Sequence, residues 1–126
     1  MDEIAKEIWQ ELGPGFSERV YHNAFEVGLR ERDINYETER IILLFFKNRN
    51  IGNLRADLIV GDTVVELKAT SKLKDENRWQ CRNYMKLLGL PKGVLVNFGP
   101  VLEIEYLQTV NEQYRDQAAD PSVGGR

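Results

Sequence analysis

Apolar residues recur every four positions at the start of the chain, with Ile4, Ile8 and Leu12 in register and Ala5 and Trp9 beside them. That spacing predicts an amphipathic helix, which Gly13-Pro14-Gly15 ends. Ser17 then offers a cap to a second helix running to about Arg32, with Val20, Tyr21, Ala24, Phe25 and Gly28 as its inward stripe. Glu18 and His22 fall at the edge of that stripe. The pattern changes at Tyr36: Tyr36 to Phe46 is rich in β-branched and aromatic residues and is followed by the turn-forming run Lys47-Asn48-Arg49-Asn50. Two shorter strands, about Asn53 to Val60 and Thr63 to Thr70, flank Gly61-Asp62, a pair suited to a tight hairpin. Helical period returns from about Asp75 to Leu88 and stops at Gly89, and Gly93 to Phe98 and Glu103 to Thr109 read as strands.

The predicted order is therefore α-α-β-β-β-α-β-β, an α+β chain. After Val110 the composition turns polar and closes on Pro121-Ser122-Val123-Gly124-Gly125, so one domain over 1–110 and a flexible tail over 111–126 are expected. A chain of 126 residues, 42% hydrophobic, has material for one core and too little length for two. No stretch approaches the roughly 18 apolar residues of a membrane span, and the acidic, amphipathic start is unlike a signal peptide, so an intracellular protein with no membrane partner is expected.

Cys81 and His22 are the single cysteine and histidine. Together they exclude an internal disulfide, a cysteine zinc cage and every two-histidine site. Cys81 reads as a buried, inert thiol. Acid, base or metal chemistry must then rest on carboxylates, lysine and backbone. The net charge of −3 argues against nucleic acid until its distribution is read. From Arg40 to Lys92 there are 11 basic against 5 acidic residues, whereas the rest of the chain holds 6 against 15. The middle is a basic island between acidic flanks.

The predicted hairpin carries the most chemistry. If Gly61 and Asp62 form a two-residue loop, Val60 pairs with Thr63, Asp57 with Glu66 and Arg55 with Lys68. Opposed residues share one side of a sheet with Cβ atoms roughly 4.5 to 5.5 Å apart, so the two carboxylates converge. The other side presents Ala56, Leu58 and Val60 against Val65 and Leu67, a core face. Like charges placed opposite each other are destabilising, and a divalent cation supplies a reason for the arrangement. Two carboxylates and the backbone carbonyl of Leu67 suit magnesium, which keeps waters or substrate phosphate in its remaining positions. Lys68 lies on the Glu66 face, where it could orient or deprotonate a water or neutralise a phosphate in the transition state. The same residues also fit an ordinary solvated hairpin, with diagonal pairs Asp57–Lys68 and Arg55–Glu66.

Other positions admit two readings. On the third helix Leu73, Tyr84, Leu87 and Leu88 form the expected buried stripe, and Gln80 falls inside it. Gln80 either satisfies a buried backbone group or reaches, with Tyr84, towards the hairpin site or a nucleic-acid backbone. Lys74, Arg78, Arg82 and Lys86, four apart on the opposite side, are a phosphate track or a solvated face. Glu18 suits the start of a helix on dipole grounds alone. His22 reads as a helix-edge residue.

Asp57, eight intervening residues and then Glu66-Leu67-Lys68 resemble the motif of the PD-(D/E)xK nuclease superfamily, and Gly15-Phe16-Ser17-Glu18-Arg19-Val20-Tyr21 resembles the signature of the GxxExxY family within it. The similarity continues through Ile51-Gly52, Arg55-Ala56-Asp57-Leu58, Gln80 to Tyr84 and Val96-Asn97-Phe98-Gly99. The resemblance implies a restriction-endonuclease-like αβββαβ core, a mixed central sheet flanked by helices. It also implies a magnesium ion, with manganese as alternative, on Asp57 and Glu66, Lys68 as a catalytic residue and Glu18 close to the metal. Gln80 and Tyr84 match a QxxxY element that supports such sites, with Arg55 beside them as a nucleic-acid contact. Ala56 stands where the motif often has proline. The expected activity is hydrolysis of phosphodiester bonds, in DNA before RNA, with a homodimer or protein partner to help a small core grip its substrate. The alternative is a binding module that keeps the fold without turnover.

Overall fold

The computed structural model describes residues 1–109. The expected tail over 111–126 lies outside the described residues. Helix α1 spans Asp2–Leu12 and α2 spans Glu18–Glu31; the strands β1 (Glu37–Phe46), β2 (Arg49–Val60) and β3 (Thr63–Lys68) follow, then α3 (Asp75–Leu88), β4 (Lys92–Phe98) and β5 (Leu102–Gln108). The element order is the one read from the sequence. The five strands lie side by side in chain order, antiparallel except for β3 and β4. The parallel pair requires a crossover, and α3 supplies it.

Both faces of the sheet are covered, which makes a three-layer domain. On one face Ile4, Ala5 and Ile8 of α1 and Tyr21, Phe25 and Leu29 of α2 pack on Leu58, Val65, Leu67, Val94, Val96 and Phe98. Gly28 permits the close helix contact, since a Cβ there would stand 2.7 Å from Ile4 Cγ2. On the other face Cys81, Tyr84 and Met85 of α3 cover Ala56, Val64 and Leu95. Residues 64, 65 and 67 of β3 are all apolar and buried, as expected of a strand covered on both sides. Glu66 is the charged residue in that run.

Several expectations change in detail. The turn between β1 and β2 is confined to Lys47-Asn48, both at positive φ (50° and 63°), so β2 begins at Arg49 instead of Asn53. β3 stops at Lys68 instead of Thr70. Val20 and Leu87 are exposed, and the buried stripe of α3 is Cys81, Tyr84 and Met85. His22 is buried, where an edge position was expected. Ala56 packs with the α3 cluster and Leu58 with the α2 cluster, so the two-residue alternation of β2 is interrupted at Asp57. No helix among the described residues is long and apolar enough to cross a membrane.

Candidate active site

The Gly61-Asp62 turn sets the register as predicted: Val60 pairs with Thr63, Ile59 with Val64 and Leu58 with Val65. There the ladder stops. The expected pairs Asp57–Glu66 and Arg55–Lys68 are not formed as backbone partners, because β2 and β3 part and side chains fill the gap. The Asp57 N–H donates to Glu66 Oε2 at 3.0 Å, and the Leu67 N–H donates to Asp57 Oδ2 at 2.8 Å. Each carboxylate thus satisfies one backbone N–H where the ladder has stopped. The carboxylates converge as expected, but into the opening between two strands and not on one face of a hairpin. In a strand the N–H and C=O of one residue point the same way, so the Leu67 carbonyl faces this opening too.

Glu66 is 3% exposed. Burial, and after it the charge of Asp57, push its carboxyl well above the usual range. Burial raises Asp57 as well, against the opposing effects of the Leu67 N–H and the Lys68 charge. Lys68 Nζ donates to Gln80 Oε1 at 3.1 Å. Gln80 thereby fixes the end of a long, flexible cation, a role between the two readings of its sequence position. Tyr84 is buried, and desolvation together with the charges of Glu66 and Asp57 pushes its hydroxyl up to about 12. Arg55 does not face Lys68: it pairs with Ile41 of β1, and its guanidinium lies 3.4 Å from Glu39.

The loop before α2 shows why Glu18 comes close. Ser17 caps the helix by accepting from the Val20 N–H. The Tyr21 hydroxyl donates to Gly13 O at 2.6 Å and accepts from the Phe16 N–H at 3.2 Å. Its ring stacks on Phe98 with centroids 4.3 Å apart, a contact worth about 0.5–1.5 kcal/mol beyond its burial. A tyrosine at this position therefore pins the turn to the sheet and presents the residue one helical turn earlier to the site. Glu18, Arg19, His22, Asp57 and Leu67 line one cavity of about 150 Å³.

Sequence reasoning missed the surroundings of this cavity. His22 Nε2 lies 2.9 Å from Glu26 Oε2 and 2.9 Å from Thr38 Oγ1, and Glu26 also accepts from the Tyr36 hydroxyl at 2.9 Å. The signal available was Glu26 one turn after His22. Two of the four basic residues along α3 are engaged: Arg78 grips Glu105 with two hydrogen bonds, 2.6 and 2.9 Å, and Arg82 donates to Gln108 O. Those two arginines tie α3 to β5, which gives half of the row a structural role. Beyond Lys68, Asn97 holds the chain by accepting from the Thr70 N–H at 2.9 Å and donating to Thr70 O at 3.0 Å.

Among the described residues no three of His, Cys, Asp and Glu form a metal-holding group. The donor set fits a hard cation by another route. Asp57 and Glu66 are linked through each other's stretch of backbone, Asp57 and Leu67 line one cavity, and two carboxylates suffice for an ion that keeps most of its waters. A dication would also offset the burial of two like charges.

Three comparisons bear on this arrangement. A family model described as the PD-(D/E)XK nuclease superfamily matches residues 1–110. No curated protein matches the chain. A solved structure titled "Crystal structure of SSO0001" shares the fold with a TM-score of 0.60 and 23% identity, covering 76% of this chain. The chain spans about half, 52%, of the length of that structure.

Proposed function

The chain belongs to the PD-(D/E)XK nuclease superfamily, and from that membership we propose that it is a divalent-metal-dependent nuclease hydrolysing phosphodiester bonds, in DNA before RNA. The observation that carries the reading is the pair Asp57 and Glu66, set side by side at the parting of β2 and β3 with Lys68 two residues on. Asp57, Glu66 and the Leu67 carbonyl would hold magnesium or manganese, with Glu18 close by. The ion would supply Lewis acidity towards a phosphate oxygen and acidify a bound water. Lys68, its ammonium aimed by Gln80, orients the attacking water and offsets charge gathering on the phosphate. Tyr84 keeps its hydroxyl proton throughout the neutral range and closes the α3 side of the site. Gly15, Glu18 and Tyr21 further support placing the chain in the GxxExxY family.

A second reading, a binding module without turnover, is favoured by one observation: each carboxylate already accepts a backbone N–H. The two readings separate when the purified chain meets circular, linear and single-stranded DNA and RNA with magnesium, manganese or chelator. Metal-dependent cleavage lost in Asp57→Ala and in Lys68→Ala is expected. Cleavage that survives both substitutions overturns the mechanism, and binding without cleavage of any substrate supports the second reading.

A further inference from the structure

Beside the carboxylate pair, three residues from three elements meet. Arg19 of α2 places NH1 3.0 Å from Glu39 Oε2, and Arg55 of β2 places NH1 3.4 Å from Glu39 Oε1. One carboxylate of β1 thus takes one guanidinium on each oxygen. Glu39 does so from a left-handed backbone, φ 55°, in mid-strand, between the pairs Thr38–Leu58 and Arg40–Ala56 and so level with Asp57. A non-glycine residue at such an angle is strained and persists only where its surroundings impose it. Both arginine side chains are more than half exposed, and exposed ion pairs stabilise a fold little. Stability therefore does not explain the arrangement. Position does: Arg19 lines the same cavity as Asp57.

We infer that Arg19 and Arg55 form a phosphate-binding fork for the nucleic-acid backbone beside the carboxylate pair, with Glu39 holding the two guanidinium groups apart and aimed. The inference rests on the proposed nuclease function for its ligand. A phosphodiester offers two non-bridging oxygens, the same pattern of acceptors that Glu39 now presents, and planar guanidinium groups match it by paired N–H donors. The three side chains sum to one positive charge, so the fork attracts an anion even with Glu39 retained. It also counters the repulsion that Asp57 and Glu66 exert on an approaching phosphate.

The test is equilibrium binding of a fluorescent single-stranded DNA and of its duplex to the full chain in chelator, across a salt series. Arg19→Ala/Arg55→Ala is expected to weaken binding at least tenfold and to flatten the slope of log affinity against log salt by about 0.7 per contact for the single strand and about 0.9 for the duplex. Arg19→Lys/Arg55→Lys keeps charge without the fork and is expected to lose affinity while retaining the slope. Arg40→Ala, whose guanidinium is held by Glu37, serves as control and leaves binding unchanged. Thermal melts establish that each variant is folded, and the lysine pair carries the test if the alanine pair is not. A parent that binds no nucleic acid, or an alanine pair with the affinity and slope of the control, overturns the fork. Failure of the nuclease reading shows separately, as absence of cleavage with either metal while the arginine-dependent slope persists.

Discussion

Replacing Glu66 by glutamine is expected to stabilise the metal-free protein at alkaline pH, the reverse of the usual effect of altering a buried polar residue. Glu66 is buried against Asp57, and its carboxyl is raised well above its ordinary range by desolvation first and the Asp57 charge second. A group whose folded value is raised stabilises fully below its unfolded value, near pH 4.5, and that contribution is lost as pH rises through the folded value. The cost is the same in kind whether the carboxyl stays charged or takes up a proton on folding. Two carboxylates held by each other's stretch of backbone, at roughly 5 Å, repel by about 3 kcal/mol at an effective dielectric constant of 20. Glutamine keeps an oxygen for the Asp57 N–H but turns a charge-assisted bond into a neutral one, at a cost of about 1 kcal/mol. The net gain is roughly 2 kcal/mol, or about 6–10 °C in Tm for a domain of this size. Thermal melts in chelator from pH 4.5 to pH 8 should show parent and Glu66→Gln diverging as pH rises. Magnesium at a hundred times its Kd should return about 2.7 kcal/mol to the parent and little to the variant. A variant no more stable than the parent at pH 8 in chelator would refute the reasoning.

Three further outcomes are expected. Gly99→Ala should destabilise by about 1–3 kcal/mol in urea titrations and reduce cleavage, because a Cβ there would stand 2.2 Å from the Thr70 carbonyl and push the chain just beyond Lys68. Asn97→Ala removes both hydrogen bonds to the Thr70 backbone and one to Glu103, leaves a half-buried N–H without its partner, and should cost about 2–3 kcal/mol by the same measurement. The Cys81 thiol, buried and pushed up to about 12, should not react with a disulfide reagent at pH 8 until denaturant is added; prompt reaction in the native state would contradict its placement.

Local signals were strong wherever neighbouring residues decide the structure. Ser17 as cap, Gly89 as a left-handed helix end and Gly61-Asp62 as a two-residue turn are read without any distant partner, and the structure has all three. The convergence of Asp57 and Glu66 followed from that turn alone. What the pattern did not disclose is that the ladder ends at Leu58 and Val65, because strand periodicity carries no term for where two strands separate. Periodicity starts β2 too late because Asn50 and Gly52 have low strand propensity and join the sheet only through their pairing with β1. His22 was misread for a related reason: its burial depends on Thr38, which arrives from another element. The fork of Arg19, Glu39 and Arg55 spans three elements and a strained residue, and no spacing along the chain encodes it.

The short ladder between β2 and β3 has a mechanical meaning. β1 and β2 are joined by nine register pairs and β3 and β4 by six, but β2 and β3 by three, all next to their turn. The sheet is therefore two stiff plates on a narrow hinge, like a pair of tongs, and Asp57 and Glu66 stand at the jaws. Backbone pairing resists rotation of the β1–β2 plate about residues 58–60 least, so its position relative to β3 is held mainly by side chains, among them Thr38 on His22 and Glu39 on Arg19. Asp57 belongs to the first plate, whereas Glu66, Lys68 and the Gln80 bonded to it belong to the second. The two side-chain hydrogen bonds across the gap are the spring that sets its resting width.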